Sequence, residues 1–229
     1  MELKNFQRKI EIFFDEENIL RTALTHSSFA HQYKNVEHNE RLEFLGDSVL
    51  QLTITEYLYK KYNYKSEGEL TKIRSLIVCE NSLFQVAQNL ELFSVIRMSK
   101  GEEMTGGRER ASLLADAVEA VIAAIYLDKG LTVAKEFILK NFEGIIKKAI
   151  KNEIILDFKT RLQELLQKKG EVEITYDLIK FEGPPHRRRF FIDVLINNET
   201  YGSGDGYSKK EAEQSAAKIA LEKLEGKNE

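Results

Sequence analysis

The chain has 229 residues, 42% of them hydrophobic and 31% charged, with a net charge of −3. That length suits one large domain or two modest ones, each able to bury a core. No apolar stretch is long enough to span a bilayer; the most apolar, Leu113 to Leu127, is interrupted by Asp116 and Glu119.

The charged N-terminus lacks the apolar segment of a secretory signal. The single cysteine, Cys79, excludes an intramolecular disulfide and reads as a small buried thiol in a reducing compartment. Four histidines and one cysteine cannot build a Cys-rich zinc site. A cytoplasmic protein without a membrane partner is expected. The negative total argues mildly against a nucleic-acid partner, but an acidic protein can still present a basic face.

Residues 1 to about 150 read as helix after helix. Apolar spacing predicts a helix from Asn18 to Phe29, then a longer one from about Glu37 to Tyr62, where Leu42, Leu45, Val49, Leu52 and Tyr57 recur at three- and four-residue steps. Further helices are expected around Glu69 to Val78, Asn81 to Asn89, Ser112 to Leu127 and Ala134 to Ile150. Both prolines lie later, at Pro184 and Pro185, and glycines punctuate instead, at Gly101, Gly106, Gly107 and Gly130. The first domain, 1–150, is therefore all-α.

After the polar stretch Lys147 to Glu153 the texture changes. A helix pattern at Asp157 to Lys168 precedes two alternating apolar runs flanking GPPH, a third short run at ETYGSG, and a helix from near Ser208. The order α-β-β-β-α over 156–226 makes a second, small α+β domain. No internal repeat or low-complexity tract occurs.

The chemistry is carried by acid embedded in apolar helix. In NERLEFLGDSVL, Glu40, Glu43 and Asp47 share one helix face, and Gly46 permits another backbone to come close. In SLLADAVEAVIAAIYL, Asp116 and Glu119 interrupt a helix that is apolar nearly all round and so should be buried. An ionised carboxylate there must shift its pKa, find a cation or bind a metal. Acids three or four apart usually form a solvated face, a reading that fits this pair poorly. A buried salt bridge with Arg41 or Arg74 and a metal site both stay open. If Glu43, Asp47, Asp116 and Glu119 converge, an all-oxygen set selects Mg²⁺ or Mn²⁺, and such an ion suits phosphodiester hydrolysis. A di-iron bundle would need Glu-x-x-His motifs, and none occurs.

NERLEFLGDS resembles the signature of the ribonuclease III family, and LLADAVEAVIAAIYLD resembles that family's second acidic helix. LTHSS (Leu24 to Ser28), EGEL (Glu67 to Leu70) and GGR (Gly106 to Arg108) match lesser blocks, so the likeness covers nearly the whole chain. The resemblance implies a Mg²⁺-dependent endoribonuclease of RNA processing, with Glu43, Asp47, Asp116 and Glu119 as metal ligands and Asp47 and Glu119 as the catalytic pair. It sets Glu40 and Glu67 beside the scissile site. It gives Phe44 to a pocket of a partner subunit, hence a homodimer in which each of two centres cuts one strand, leaving staggered ends with 5′ phosphate and 3′ hydroxyl. On its own Phe44 reads equally as core or interface.

The second domain resembles a double-stranded RNA-binding domain through DFKTRLQELLQ, GPPH and SKKEAEQSAAKIAL. Such domains span about 16 base pairs by shape, across two minor grooves. Lys209 and Lys210 fall in a first helical turn, where side-chain charge and the positive dipole end act together on phosphate, and Ser208 is placed as N-cap. The resemblance sets Thr160, Gln163 and Glu164 against one minor groove and Pro185 with His186 against the next. Glu213 stands where many such domains carry a third basic residue, so either Lys218 supplies the missing charge or affinity is modest. With 13 basic and 14 acidic residues from 156 to 229, binding must rest on a local patch and weaken steeply with salt. A non-catalytic duplex-RNA-binding protein is the runner-up; a helical metalloprotein without nucleic acid would make the second domain a coincidence.

Overall fold

The computed structural model describes residues 2–33, 35–151, 154, 158–168, 172–184 and 188–225. The chain divides into two compact units, Met1–Ile154 and Ile155–Glu229. The first is all helical, with α1 (Leu3–Ile10), α2 (Glu17–Ala23), α3 (Ser27–Ala30), α4 (Glu40–Lys61), α5 (Glu67–Ile77), α6 (Glu80–Asn89), α7 (Lys100–Met104) and α8 (Ala111–Ile150).

The axis of this unit is α8. From Leu113 to Ile125 its apolar side chains are buried on every side, and α2, α4, α5 and α6 pack against it. A helix apolar all round can persist in water only when enclosed in this way. At Gly130 φ is +83°, which splits α8 at a kink where the sequence predicts a break. Just before it, the Asp128 carboxylate accepts from the backbone N–H groups of Asp15 and Glu16 and anchors the entry to α2.

Three expectations need correction. The helix predicted from Asn18 to Phe29 is two helices, because Leu24–His26 leaves helical geometry to pair with Arg97: Arg97 N donates to Leu24 O at 2.7 Å and His26 N to Arg97 O at 2.9 Å. Leu52, in the apolar series whose spacing predicts this helix, does not share its buried face: it is exposed, and the buried stripe of α4 runs through Val49, Leu50, Thr53, Ile54 and Leu58. Cys79 is only half-buried, its thiol beside Leu76 O and Ser82 Oγ. Helices α1 and α7 were not predicted.

The second unit has α9 (Phe158–Gln167), β1 (Ile174–Glu182), β2 (Arg189–Ile196), β3 (Glu199–Gly206) and α10 (Lys209–Glu225). The sheet is antiparallel in the order β1-β2-β3. Leu162 and Leu166 of α9, Val194 and Ile196 of β2, and Ala216, Ala217, Ala220 and Leu221 of α10 form its core. The α-β-β-β-α architecture is as expected. In β3, a Cβ added at Gly204 would stand 2.1 Å from Ala216 N and one at Gly202 2.4 Å from Ala216 O, so α10 lies directly on the β3 backbone. Among the described residues no helix is long and apolar enough to cross a membrane.

Candidate functional site

The acidic residues meet where α4 crosses α8. A Cβ on Gly46 would stand 1.8 Å from the Glu119 carbonyl oxygen, so the two backbones touch at that point and only glycine fits. One turn before Gly46 lies Glu43, and Asp47 follows it; Asp116 and Glu119 lie on successive turns of α8. Each of the four is half-buried.

Their electrostatics show how closely they are grouped. Burial pushes the Glu119 carboxyl up to about 8, and the charges of Asp47, Glu43 and Asp116 add to the shift. Glu43 is raised first by burial and then by Asp116, Glu40 and Asp47. Asp116 is raised by burial and by Glu80 and Glu40, with His26 pulling the other way. Ionised carboxyls this close, partly removed from water, disfavour one another's charge.

Neither proposed salt-bridge partner relieves the crowding. Arg74 donates to Thr55 Oγ1 at 3.1 Å, Arg41 is exposed, and among the described residues no ion pair reaches Asp116 or Glu119. No three acidic, histidine or cysteine side chains among the described residues close into a ready-made cation cage. The four therefore form an anionic patch of oxygen donors that no lysine or arginine among the described residues pairs with, and in donor chemistry it fits a hard divalent ion.

The other residues predicted for this unit fall around that patch. Glu40, at the start of α4, is exposed, with its carboxylate 3.8 Å from His38 Nδ1. Glu67 opens α5, exposed, and accepts from Thr71 Oγ1 at 2.9 Å; it is not among the charges that raise Glu43, Asp116 and Glu119. Phe44 is 79% exposed, so it is not a core residue. Three neighbours escaped the sequence reading. Gln51 donates to both Asp47 oxygens, at 2.9 and 3.1 Å, a pairing its i+4 spacing could have revealed. His26 and Glu80 act on Asp116 from separate segments, which spacing cannot reveal.

In the second unit, Ser208 caps α10 as predicted, accepting from Glu211 N at 3.1 Å, and Lys209 and Lys210 are exposed in the first turn. Thr160 and Gln163 line an open groove of about 570 Å³ together with Lys159, Lys210, Glu213 and Gln214. Glu164 is exposed on α9. Pro185 and His186 lie outside the described residues. Lys218 stands two turns further along α10, with its ammonium 5.9 Å from the centre of the Phe158 ring, and does not line the groove. The cation beside Glu213 is Lys159, at 2.6 Å.

Comparison with known proteins places this geometry in context. A family profile described as Ribonuclease-III-like matches residues 16–145, and the double-stranded RNA binding motif matches 158–224. The chain is 66% identical to Ribonuclease 3 of Clostridium beijerinckii over 99% of this chain and 98% of that protein. It is 67% identical to Ribonuclease 3 of Clostridium perfringens over 95% and 92%. Among solved structures, the nuclease domain of ribonuclease III from Campylobacter jejuni matches with a TM-score of 0.59 and 42% identity, covering 62% of this chain and 97% of that one; that structure describes flexibility in a region involved in dimer formation.

Proposed function

The chain belongs to the ribonuclease III family, with a double-stranded RNA-binding domain after its nuclease domain, and on that premise we propose that it is a Mg²⁺-dependent endoribonuclease specific for double-stranded RNA. The observation that carries the reading is the uncompensated charge at the α4–α8 crossing, where burial and mutual repulsion raise Glu43, Asp116 and Glu119. Glu43, Asp47, Asp116 and Glu119 would hold the ion, and Mn²⁺ would substitute for Mg²⁺. When bound, such an ion supplies Lewis-acid polarisation of a phosphate and a nucleophile from water at neutral pH.

The protein's own groups prepare the reaction. Gln51 fixes the Asp47 carboxylate by holding both its oxygens. The Glu119 carboxyl, near 8, keeps its proton through neutral pH while the patch lacks a cation and gives it up when positive charge arrives. The closed apolar shell of α8 bars water from behind, which strengthens the charge interactions in front. Water adds to phosphorus, the P–O3′ bond breaks, and the products keep a 5′ phosphate and a 3′ hydroxyl. Glu40 and Glu67 would flank the scissile phosphate.

Exposed Phe44 supports a homodimer in which each protomer cuts one strand, because an aromatic side chain so open to water gains by entering a partner's pocket. In the second unit Thr160, Gln163 and Glu164, with Pro185 and His186, would follow the minor grooves. Lys209 and Lys210 would meet phosphate at the N-terminus of α10, with Lys218 a lesser contributor. The sole cysteine suits a cytoplasmic setting, where RNA processing takes place.

The test incubates end-labelled duplex RNA beside single-stranded RNA and duplex DNA, with Mg²⁺ or with EDTA. Selective shortening of the RNA duplex, only with the cation, is expected. Full cutting in EDTA, or equal cutting of single strands, would refute the reading.

A further inference from the structure

The groove between α9 and α10 contains a charge arrangement that residue identities alone do not disclose. Lys210 lines it with no carboxylate partner among the described residues. Lys159 lines it too, but its ammonium is 2.6 Å from the Glu213 carboxylate and 4.4 Å from the centre of the Tyr176 ring. Both members of the pair are largely shielded, with side chains 34% and 26% exposed. Gln214 Oε1, one residue along, accepts from Phe158 N at 2.7 Å and ties the start of α9 to α10. That tie holds Lys159 beside Glu213 from the backbone outward, so the pair loses less side-chain entropy than a freely exposed one.

A neutral pair on a surface that meets a polyanion contributes no net counterion release, whereas a free lysine there contributes about one phosphate contact. We propose that Glu213 limits the affinity of this domain for duplex RNA by sequestering Lys159, so that the groove offers Lys210 alone as an effective cation. The proposal rests on the reading that this face meets RNA. Lys159 is thus a latent phosphate contact and Glu213 the residue that withholds it. Binding is kept modest at the small domain, and tight engagement requires the rest of the enzyme.

The test is binding of a short RNA duplex to the full chain in EDTA, which blocks cutting, followed by fluorescence anisotropy from 0.05 to 0.3 M salt. Wild-type protein must bind duplex in preference to single strands; if it does not, the functional reading itself fails. Given that binding, Glu213→Gln is expected to tighten the complex about five- to tenfold at 0.1 M salt and to steepen the log–log salt slope by about one. Lys159→Met is expected to leave the slope unchanged. In the double variant Glu213→Gln with Lys159→Met the gain disappears, because it requires the freed ammonium.

Unchanged or weaker binding by a folded Glu213→Gln protein would overturn the proposal. So would an equal gain in the double variant, which would mean that simple removal of negative charge explains it. If Glu213→Gln lowers the melting temperature too far to measure binding, Lys159→Met decides alone: a slope shallower by about one would show that wild-type Lys159 already touches phosphate and would overturn the idea.

Discussion

The acidic patch of the helical unit and the surface of the small unit treat charge in opposite ways. In the helical unit, acids are set into the helix with the most apolar surroundings, on backbones that touch at Gly46, and among the described residues no lysine or arginine pairs with Asp116 or Glu119. In the small unit, the charges lie at the surface and several are neutralised in place: Lys159 by Glu213, Arg189 by Asp205 at 2.5 Å, and Lys180 by Glu182 at 2.7 Å. Unbalanced charge is costly to fold around, so a protein that retains it has a use for the field it creates. Balanced surface charge costs little and tunes how tightly a partner is held.

The largest way to break this contrast is Glu119→Gln. Removing one ligand of a charge-stabilising site is expected to lower the cleavage rate by about 10³-fold, several kcal/mol in the transition state, while duplex binding stays within about twofold. The same variant sharpens the contrast through pH. Glu119 titrates near 8 in the folded chain against an ordinary value of 4.5, so the folded state retains a proton that the unfolded chain releases. This contribution to stability is complete below about pH 4.5 and is lost as the pH rises to about 8. Discounted for the solvent that still reaches the group, the loss is about 1–2 kcal/mol. Without divalent cations, Glu119→Gln should therefore melt higher than wild type at pH 8 and at about the same temperature near pH 4.5. A lower melting point at pH 8 would show that the charge is balanced after all.

Gly46→Ala comes next. A methyl group 1.8 Å from the Glu119 carbonyl oxygen must force α4 and α8 apart. Overpacking of this kind should cost about 3 kcal/mol, read as a shift of the denaturant midpoint, and should disperse the four carboxyls so that cleavage falls as well. Phe44→Asp acts outside the folded core, since the ring is already 79% exposed. Its expected effect is a dimer dissociation constant about 30-fold higher by sedimentation, roughly 2 kcal/mol, with monomer melting unchanged. The smallest effect belongs to the other unit: Ser208→Ala removes the cap on α10 and should cost about 1 kcal/mol in that unit alone.

Much of the site was legible because it breaks local rules. Asp116 and Glu119 stand among Leu113, Leu114, Ala117, Val118 and Val121, where only a buried helix makes sense, and Gly46 lies between Glu43 and Asp47 of α4. The influence of His26 and Glu80 on the Asp116 carboxyl was not legible, because long-range packing brings them near and no periodicity records it. The split between α2 and α3 was missed for the same reason: residues 24–26 leave the helix to pair with Arg97, more than seventy positions away. In the small unit ETYGSG reads as a third short strand run, while the close approach of its glycines to α10 emerges only in three dimensions. Glu213 was visible as a departure from the usual pattern, but its partner Lys159 belongs to a helix 54 residues earlier, a pairing that no local spacing records.

The central question is whether the α4–α8 acids take up a divalent ion. Calorimetric titration of Mn²⁺ into the full chain at pH 8, in two buffers of different ionisation enthalpy, measures both uptake and proton release. Saturable binding by wild type with protons expelled, lost or much weakened in Glu119→Gln, is the predicted result. Equal binding by the two proteins, or none by wild type, would contradict it.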